Sequence, residues 1–269
     1  MELIMRELQR EIINELGVRP TIDPEQEIRE RTQFLADRLG ATSLNGFVLG
    51  ISGGQDSLLA GILAQRAAEQ LRDAGRDATF TALLLPYGIQ RDRDDALLAI
   101  ETIAPDRVYD INIQPATDAF VASIEAATGE KVRDFDKGNA KARARMMAQY
   151  VFTSIVLGTD HAAEAVTGFY TKYGDGAADI LPLSGLNKRQ GRQMLQTLGV
   201  PEVFTTKQPT ADLLDNNPGQ ADETELGLAY DAIDASLGGK EADPAIAAAI
   251  EQRYLTTQHK REMPVAFTR

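Results

Sequence analysis

Cysteine is absent from the 269-residue chain. That excludes disulfides, thiolate zinc sites, iron–sulfur clusters and a cysteine nucleophile together. Histidine is scarce. His161 and His259 are the only two; neither shows a metal-ligand partner at helical spacing, and a zinc enzyme is not expected. Positive charge is also in short supply, with 28 Lys and Arg against 40 Asp and Glu and a formal net charge of −12. Nucleic-acid or anionic-membrane binding needs a basic surface, so neither partner is expected. No apolar run reaches membrane-spanning length, and Met1 to Gly17 lacks the apolar core of a signal peptide. The expectation is a cytoplasmic protein. Repeats, linkers and low-complexity tracts are missing too, so residues 1–269 are expected to form a single domain, with 43% hydrophobic content for its core.

What the chain does contain, from Phe47 to Ser57, is Phe-Val-Leu-Gly-Ile-Ser-Gly-Gly-Gln-Asp-Ser. Residues suited to a buried strand, Phe47 to Ile51, run into a turn of small residues, and Leu58 to Ala74 reads as a helix. Paired glycines let the backbone turn tightly and approach a ligand closely. The N–H groups of Ser52 to Ser57, the two serine hydroxyls and the positive end of the helix dipole would face one anion. Asp56 lies in the middle of that site. It would repel phosphate unless a cation such as Mg²⁺ lay between them. The stretch reads as a pyrophosphate cradle with a built-in metal ligand; an ordinary glycine-rich turn is the plain alternative. No lysine follows the glycines, which separates it from the Gly-x-x-x-x-Gly-Lys-Ser/Thr loop. It resembles the Ser-Gly-Gly-x-Asp-Ser loop of the ATP pyrophosphatases, which cut ATP between its α and β phosphates.

The remaining pattern alternates strands and helices. Leu3 to Leu16 and the segment from Pro24 to Gly40 are amphipathic helices. Thr79 to Leu85 is a near-continuous apolar run, the mark of a strand covered on both faces. Helices over Asp92–Ile103 and Pro115–Thr128 flank a strand over Arg107–Ile113. Gly138 to Tyr150 reads as a helix capped by Asn139, and Ser154 to Leu157 as a short strand. The expected fold is α/β, a doubly wound parallel sheet flanked by helices in a Rossmann-like three-layer sandwich. Ligands lie at the C-terminal edge of such sheets, so Gly158-Thr159-Asp160-His161 should face the same crevice as the Ser52 loop. Thr171 to Asp179 reads as a glycine-rich loop, Asn187 to Leu198 as a capped helix, residues 205–222 as an ordered loop over the site, and Glu223–Leu237 and Pro244–Thr257 as two last helices.

Further candidates follow from residue type and place. Glu164, one helical turn past a sheet edge, can complete a Mg²⁺ site with Asp56, or be a solvated acid at a helix start. His161 reads as structural. Lys172, between Tyr170 and Tyr173, is a phosphate or carboxylate binder or a surface lysine. Lys188, Arg189 and Arg192 crowd a helix start against the dipole, which a bound anion would explain. Lys137, Lys141, Arg143 and Arg145 form a basic cluster in an acidic protein, of which 141 and 145 share a face.

These phrases together resemble the ammonia-dependent NAD synthetases, over nearly the whole chain. The match rests on Leu-Gly-Ile-Ser-Gly-Gly-Gln-Asp-Ser (49–57), Lys-Gly-Asn-Ala-Lys-Ala-Arg (137–143), Gly-Thr-Asp-His-Ala-Ala-Glu-Ala-Val-Thr-Gly-Phe (158–169), Thr-Lys-Tyr-Gly-Asp-Gly (171–176), Leu-Asn-Lys-Arg-Gln-Gly (186–191), Pro-Thr-Ala-Asp-Leu (209–213) and His-Lys-Arg (259–261). The resemblance implies an adenine nucleotide alpha hydrolase-like fold and ATP-dependent amidation of deamido-NAD⁺ with ammonia, through an acyl-adenylate, with Mg²⁺ as cofactor. It implies an ATP site of Gly50, Ile51, Ser52, Gly53, Gly54, Gln55, Asp56 and Ser57 with Thr159, Lys188 and Thr210. It implies Mg²⁺ on Asp56 and Glu164, and deamido-NAD⁺ on Arg143, Lys172, Asp179, His259 and Lys260. Asp56, Lys188 and Asp175 are the catalytic candidates, Asp175 as the group that deprotonates ammonium. Without cysteine for an amidase, free ammonia is the expected nitrogen source. A homodimer built on the helices around residues 115–150 is expected. The chain departs from the family in carrying Leu84 where arginine is usual, in a connection between Tyr150 and Gly158 about four residues shorter, and in its tail.

Overall fold

The computed structural model describes residues 6–89, 92–210, 213–216 and 219–267. Its centre is a parallel sheet of β1 (Gly46–Gly50), β2 (Thr79–Leu84), β3 (Arg107–Asp110) and β4 (Ile155–Val156), in the order β3-β2-β1-β4. Phe47 is in register with Phe80 on one side and Ile155 on the other. Thirteen helices are described: α1 (Glu7–Glu15), α2 (Pro24–Gly40), α3 (Gln55–Asp73), α4 (Arg93–Ile103), α5 (Gln114–Thr128), α6 (Asp134–Tyr150), α7 (Ala162–Thr167), α8 (Lys188–Leu198), α9 (Val203–Thr206), α10 (Asp222–Leu226), α11 (Tyr230–Leu237), α12 (Pro244–Thr256) and α13 (Gln258–Arg261).

Strand alternation sorts the core into two layers. Phe47, Leu49 and Leu84 point into the main cluster with Leu35, Leu63, Ala99 and Leu195 from α2, α3, α4 and α8. Val48, Leu83 and Val156 point the other way, onto Ile113 and Ala144 beside α5 and α6. Both faces of the sheet are thus covered, as its unbroken apolar strands require. A third cluster joins α1, α7, α11 and α12 through Ile12, Val166, Ile233 and Tyr254. No helix among the described residues is long and apolar enough to cross a membrane.

Strand order reverses at β1. Chain progress runs through β2 and β3 to one side, and β4 lies on the other. A crevice therefore opens beyond the C-terminal ends of β1 and β4. Ile180 extends the β4 side by bridging Leu157 in parallel.

Several expectations are corrected. The helix after the Ser52 turn begins at Gln55, so Gln55, Asp56 and Ser57 form its first turn rather than preceding it. The helix α6 begins at Asp134, not Gly138. Asn139 is inside it and caps nothing: its Nδ2 donates to Phe135 O and its Oδ1 accepts from Thr171 Oγ1. β3 stops at Asp110 and is exposed, being the sheet edge. The span from Glu223 to Leu237 is broken at Gly227, where φ is +66°, into α10 and α11. Within 205–222, Thr210 pairs with Ala221 in an antiparallel bridge; residues 211, 212, 217 and 218 lie outside the described residues.

Candidate active site

A cavity of about 300 Å³ fills the crevice. The turn after β1, Leu85 to Tyr87, Arg145 and Gln149 of α6, Gly158 and Thr159, Lys188, and residues 207–210 wall it. Every residue from Gly50 to Ser57 lines it, as do Thr159 and Thr210. So the ATP-site residues named from the sequence all meet in one place.

The cradle holds its shape through its own serines. Ser57 Oγ accepts from Ser52 N–H at 3.2 Å and lies 3.1 Å from Ser52 Oγ, which accepts from Gly54 N–H at 3.2 Å. Gly53 has φ +85°, and a Cβ there would stand 2.6 Å from the backbone nitrogen of Ala96. Glycine is required by conformation and by the close approach of α4. Gln55 Nε2 donates to Lys188 O at 2.9 Å, tying α3 to α8.

Charge concentrates where α3, α7 and α8 converge. Lys188 Nζ is 2.6 Å from Asp56 Oδ2. His161 Nε2 is 3.7 Å from Asp56 Oδ1, 3.6 Å from Glu164 Oε1 and 3.4 Å from Lys188 Nζ. Candidate ligand atoms of Asp56, His161 and Glu164 lie within 4.8 Å of one another. The sequence reading that His161 has no metal-ligand partner at helical spacing is therefore overturned: Glu164 follows it by three residues, on the same face of the first turn of α7.

Burial raises the Asp56 carboxyl, but Lys188 and His161 outweigh it and leave the group below its usual range. Burial holds Glu164 well above its usual value; Lys188 opposes this, and Asp56, Asp160 and Asp175 reinforce it. Burial and then Asp175 and Asp56 push Asp160 up to about 7. Burial drives His161 down to about 4, leaving the imidazole neutral. Lys188 is lowered by burial but raised on balance by Asp56 and Glu164. The corner is short of positive charge, with the single ammonium of Lys188 beside the carboxyl groups of Asp56 and Glu164. A divalent cation fits that donor set and that charge deficit.

Asp175 lines the same cavity, although the residue as a whole is exposed. Its carboxylate accepts from Thr171 N–H at 2.9 Å, and desolvation by the surrounding walls raises its pKa.

The second set lies outside this cavity, and the structure brings most of it together. Arg143 Nη2 donates to Lys172 O at 3.2 Å, and Lys172 Nζ donates to His259 O. Lys260 Nζ donates to Gly168 O and Tyr170 O, both at 2.7 Å. These four residues form one basic rim around the loop from 168 to 176. Asp179 stands apart from that rim, accepting from Val156 N–H at 2.8 Å and lying 3.4 Å from Tyr150 Oη.

Other features were not visible in the sequence. The anion expected at the start of α8 is internal: Asp234 accepts from the N–H groups of Lys188 and Arg189 at 3.1 and 2.7 Å. Asn187 and Gln190 complete a capping box there. Gln149 Oε1 accepts from Gly50 N–H, and Arg145 Nε donates to Leu85 O. Lys207 Nζ bridges Asp92 and Asp95 at 3.1 and 2.6 Å. Leu84 is buried in the main core, while Leu85 faces the cavity.

A family model described as NAD synthase matches residues 27–264. An NH(3)-dependent NAD(+) synthetase of Bacillus licheniformis is 56% identical over 263 residues, covering 96% of this chain and 97% of that one. The crystal structure of NAD+ synthetase from Burkholderia pseudomallei superposes with a TM-score of 0.83 at 42% identity, covering 98% of this chain and 100% of its own. NMN synthetase from Francisella tularensis follows with a TM-score of 0.80 at 37% identity, covering 91% and 99%.

Proposed function

The chain belongs to the NAD synthase family, and on that premise we propose how its crevice carries out the reaction. The enzyme is a ligase that amidates deamido-NAD⁺ with ammonia at the expense of ATP, giving NAD⁺, AMP and pyrophosphate by way of an acyl-adenylate. The observation that carries the assignment to this cavity is the meeting of the Ser52–Ser57 cradle, Asp56, Glu164 and Lys188 at the reversal of strand order.

The N–H groups of the cradle and the start of α3 bind the β and γ phosphates and hold the leaving pyrophosphate as its charge grows. Thr159, Lys188 and Thr210 complete the ATP site. Asp56 and Glu164 would hold Mg²⁺, and the ion would supply positive charge against the phosphates. Lys188, strapped to Asp56 and held from below by Gln55 and Asp234, places its ammonium beside the same phosphates. Arg143, Lys172, His259 and Lys260 bind deamido-NAD⁺ along the rim and Asp179 beside it, so that its nicotinate carboxylate reaches the cavity. Only neutral ammonia attacks the adenylate, and Asp175 takes the proton from incoming ammonium. Its raised pKa and the Thr171 N–H that fixes one oxygen suit that role.

The enzyme works as a homodimer. Phe120, Ile124, Phe135, Met147, Tyr150 and Val151 are exposed along α5, α6 and the turn that follows, an apolar surface that a second copy would cover. Light scattering at micromolar concentration should give twice the chain mass; a single monomeric species would contradict it. The enzyme acts in the cytoplasm.

The test of the activity is product analysis with ATP, Mg²⁺ and ammonium. NAD⁺ and AMP should form in equal amounts from deamido-NAD⁺, and far more slowly from the mononucleotide counterpart, since the NAD(+) synthetases of Bacillus licheniformis and Burkholderia pseudomallei are 56% and 42% identical to this chain against 37% for the NMN synthetase. The reverse preference would overturn the substrate assignment. Asp175→Asn should lose most activity at pH 7 with limiting ammonium; full activity there would remove its proposed role.

A further inference from the structure

The reading above gives His161 no work, yet its position is unlike that of a packing residue. It is 3% exposed and ends the extended segment that leaves β4, just before α7, with φ −125° and ψ 173°. Its Nδ1 has no hydrogen-bond partner among the described residues. A buried imidazole kept for structure normally gives one nitrogen to a fixed acceptor. Here the only engaged nitrogen, Nε2, is turned into a ring made by Asp56 Oδ1 at 3.7 Å, Glu164 Oε1 at 3.6 Å and Lys188 Nζ at 3.4 Å.

Lysine has donors and no acceptor. With Lys188 Nζ against it, Nε2 presents its lone pair, and the ring proton belongs on Nδ1. That tautomer binds a metal through Nε2. An ion about 2.1 Å from each ligand spans pairs up to about 4.2 Å apart, so both carboxylate gaps from Nε2 lie within one ion's reach. The ammonium of Lys188 already supplies a positive charge at this point, 2.6 Å from Asp56. It marks where a cation is stable when no metal is bound.

We propose that His161 Nε2 is a third protein ligand of the divalent cation, beside Asp56 and Glu164, and that the site therefore binds Mn²⁺ more tightly than Mg²⁺. The proposal rests on the reading that Asp56 and Glu164 hold a cation. An imidazole adds little for Mg²⁺, which prefers oxygen and keeps its waters, and more for first-row transition ions. Asp56 comes from the first turn of α3, and His161 and Glu164 from the N-cap and first turn of α7, so the three ligands would join the segments that follow β1 and β4.

The test uses the full-length protein with Mn²⁺ alone, studied by pulsed EPR. Samples carrying ¹⁴N- and ¹⁵N-histidine are compared. The expected result is a directly coupled nitrogen whose frequency changes with the label and which disappears in His161→Gln. Titration should show Mn²⁺ affinity falling about 10–100-fold in that variant, with a smaller loss for Mg²⁺. Should His161→Gln fail to fold, labelled His259→Gln leaves His161 as the sole histidine and gives the same readout. Bound Mn²⁺ without a histidine-dependent nitrogen signal overturns the third ligand and leaves the carboxylate site standing. Absence of any bound Mn²⁺ overturns both. Equal losses for Mn²⁺ and Mg²⁺ overturn the stated preference.

Discussion

The crevice has two walls of different construction. On one, formed by α3, α7 and α8, most polar groups are buried and held by fixed partners, His161 Nδ1 and Asn187 Nδ2 excepted. Asn187, Lys188 and Gln190 are each at most 3% exposed. Asp234 holds two N–H groups, and Gln55 holds the carbonyl of Lys188. On the other wall, residues 207–210 and 213–216 reach the rest of the protein through side-chain charges that, Lys141 excepted, lie nearer the surface. Lys207 bridges Asp92 and Asp95, with all three side chains a quarter to a third exposed. Further along, Lys141 Nζ donates to Leu213 O at 2.8 Å and to Asp215, Lys137 pairs with Asp215 at 2.9 Å, and Asp134 accepts from the N–H groups of Asp215 and Asn216. The first wall is fixed by the packing that makes the fold. The second is held by interactions that water and salt weaken. A site that must position phosphates yet admit two nucleotides needs one wall of each kind.

Substitutions can break that contrast. The largest effect belongs to Asp56→Asn, which keeps the volume and removes the charge. Turnover should fall by about two to three orders of magnitude, the several kcal/mol a metal contributes, with the fold intact by circular dichroism. Gly53→Ala comes next. Its backbone is left-handed and its Cβ would meet Ala96, so the cradle must shift at about 1–3 kcal/mol. Denaturant titration should show that loss, and the KM for ATP should rise about tenfold.

Lys141→Met should loosen the second wall by about 1–3 kcal/mol, read as faster amide exchange at Leu213–Asn216 and unchanged exchange at Lys188–Met194. The same wall carries a pH signature. Burial raises the Asp215 carboxyl, but hydrogen bonds and charge from Lys137 and Lys141 bring it below 3.8; the Asn216 N–H, against burial, does the same for Asp134. Both acids have folded pKa values below their unfolded ones. Their stabilisation is present in full above pH 3.8 and lost as pH falls through the folded values. Protection of the 213–216 amides, corrected for the intrinsic exchange rate, should therefore fall only in acid. The smallest effect is that of Lys207→Ala, about 0–1 kcal/mol, seen as a modest rise in the KM for ATP that high salt erases.

The first wall was the more legible in the sequence, because its signals are local. Phe47 to Ser57 states strand, turn and helix start in eleven consecutive residues, and alternation of strands and helices gave the parallel sheet. Glu164 could be paired with Asp56 because both follow strands. What joins distant segments could not be read. Asp234 as the anion under α8, Lys141 as the anchor of Asp215, and the burial of Leu84 on the far face of β2 all depend on tertiary packing. The misplaced start of α6 has a local cause: Asp134 and Asp136 favour a helix N-terminus, but Gly138 and Asn139 look like a break. The place of His161 beside Asp56 could not be read, because the fold brings Asp56 to it from another helix.

The central claim is that this crevice adenylates the carboxylate of deamido-NAD⁺. Pyrophosphate release from ATP, followed with Mg²⁺ and without ammonium, tests it most directly. Release should be negligible with ATP alone and should appear on adding deamido-NAD⁺, up to about one equivalent per site. Release that ignores deamido-NAD⁺, or none in its presence, would contradict the account.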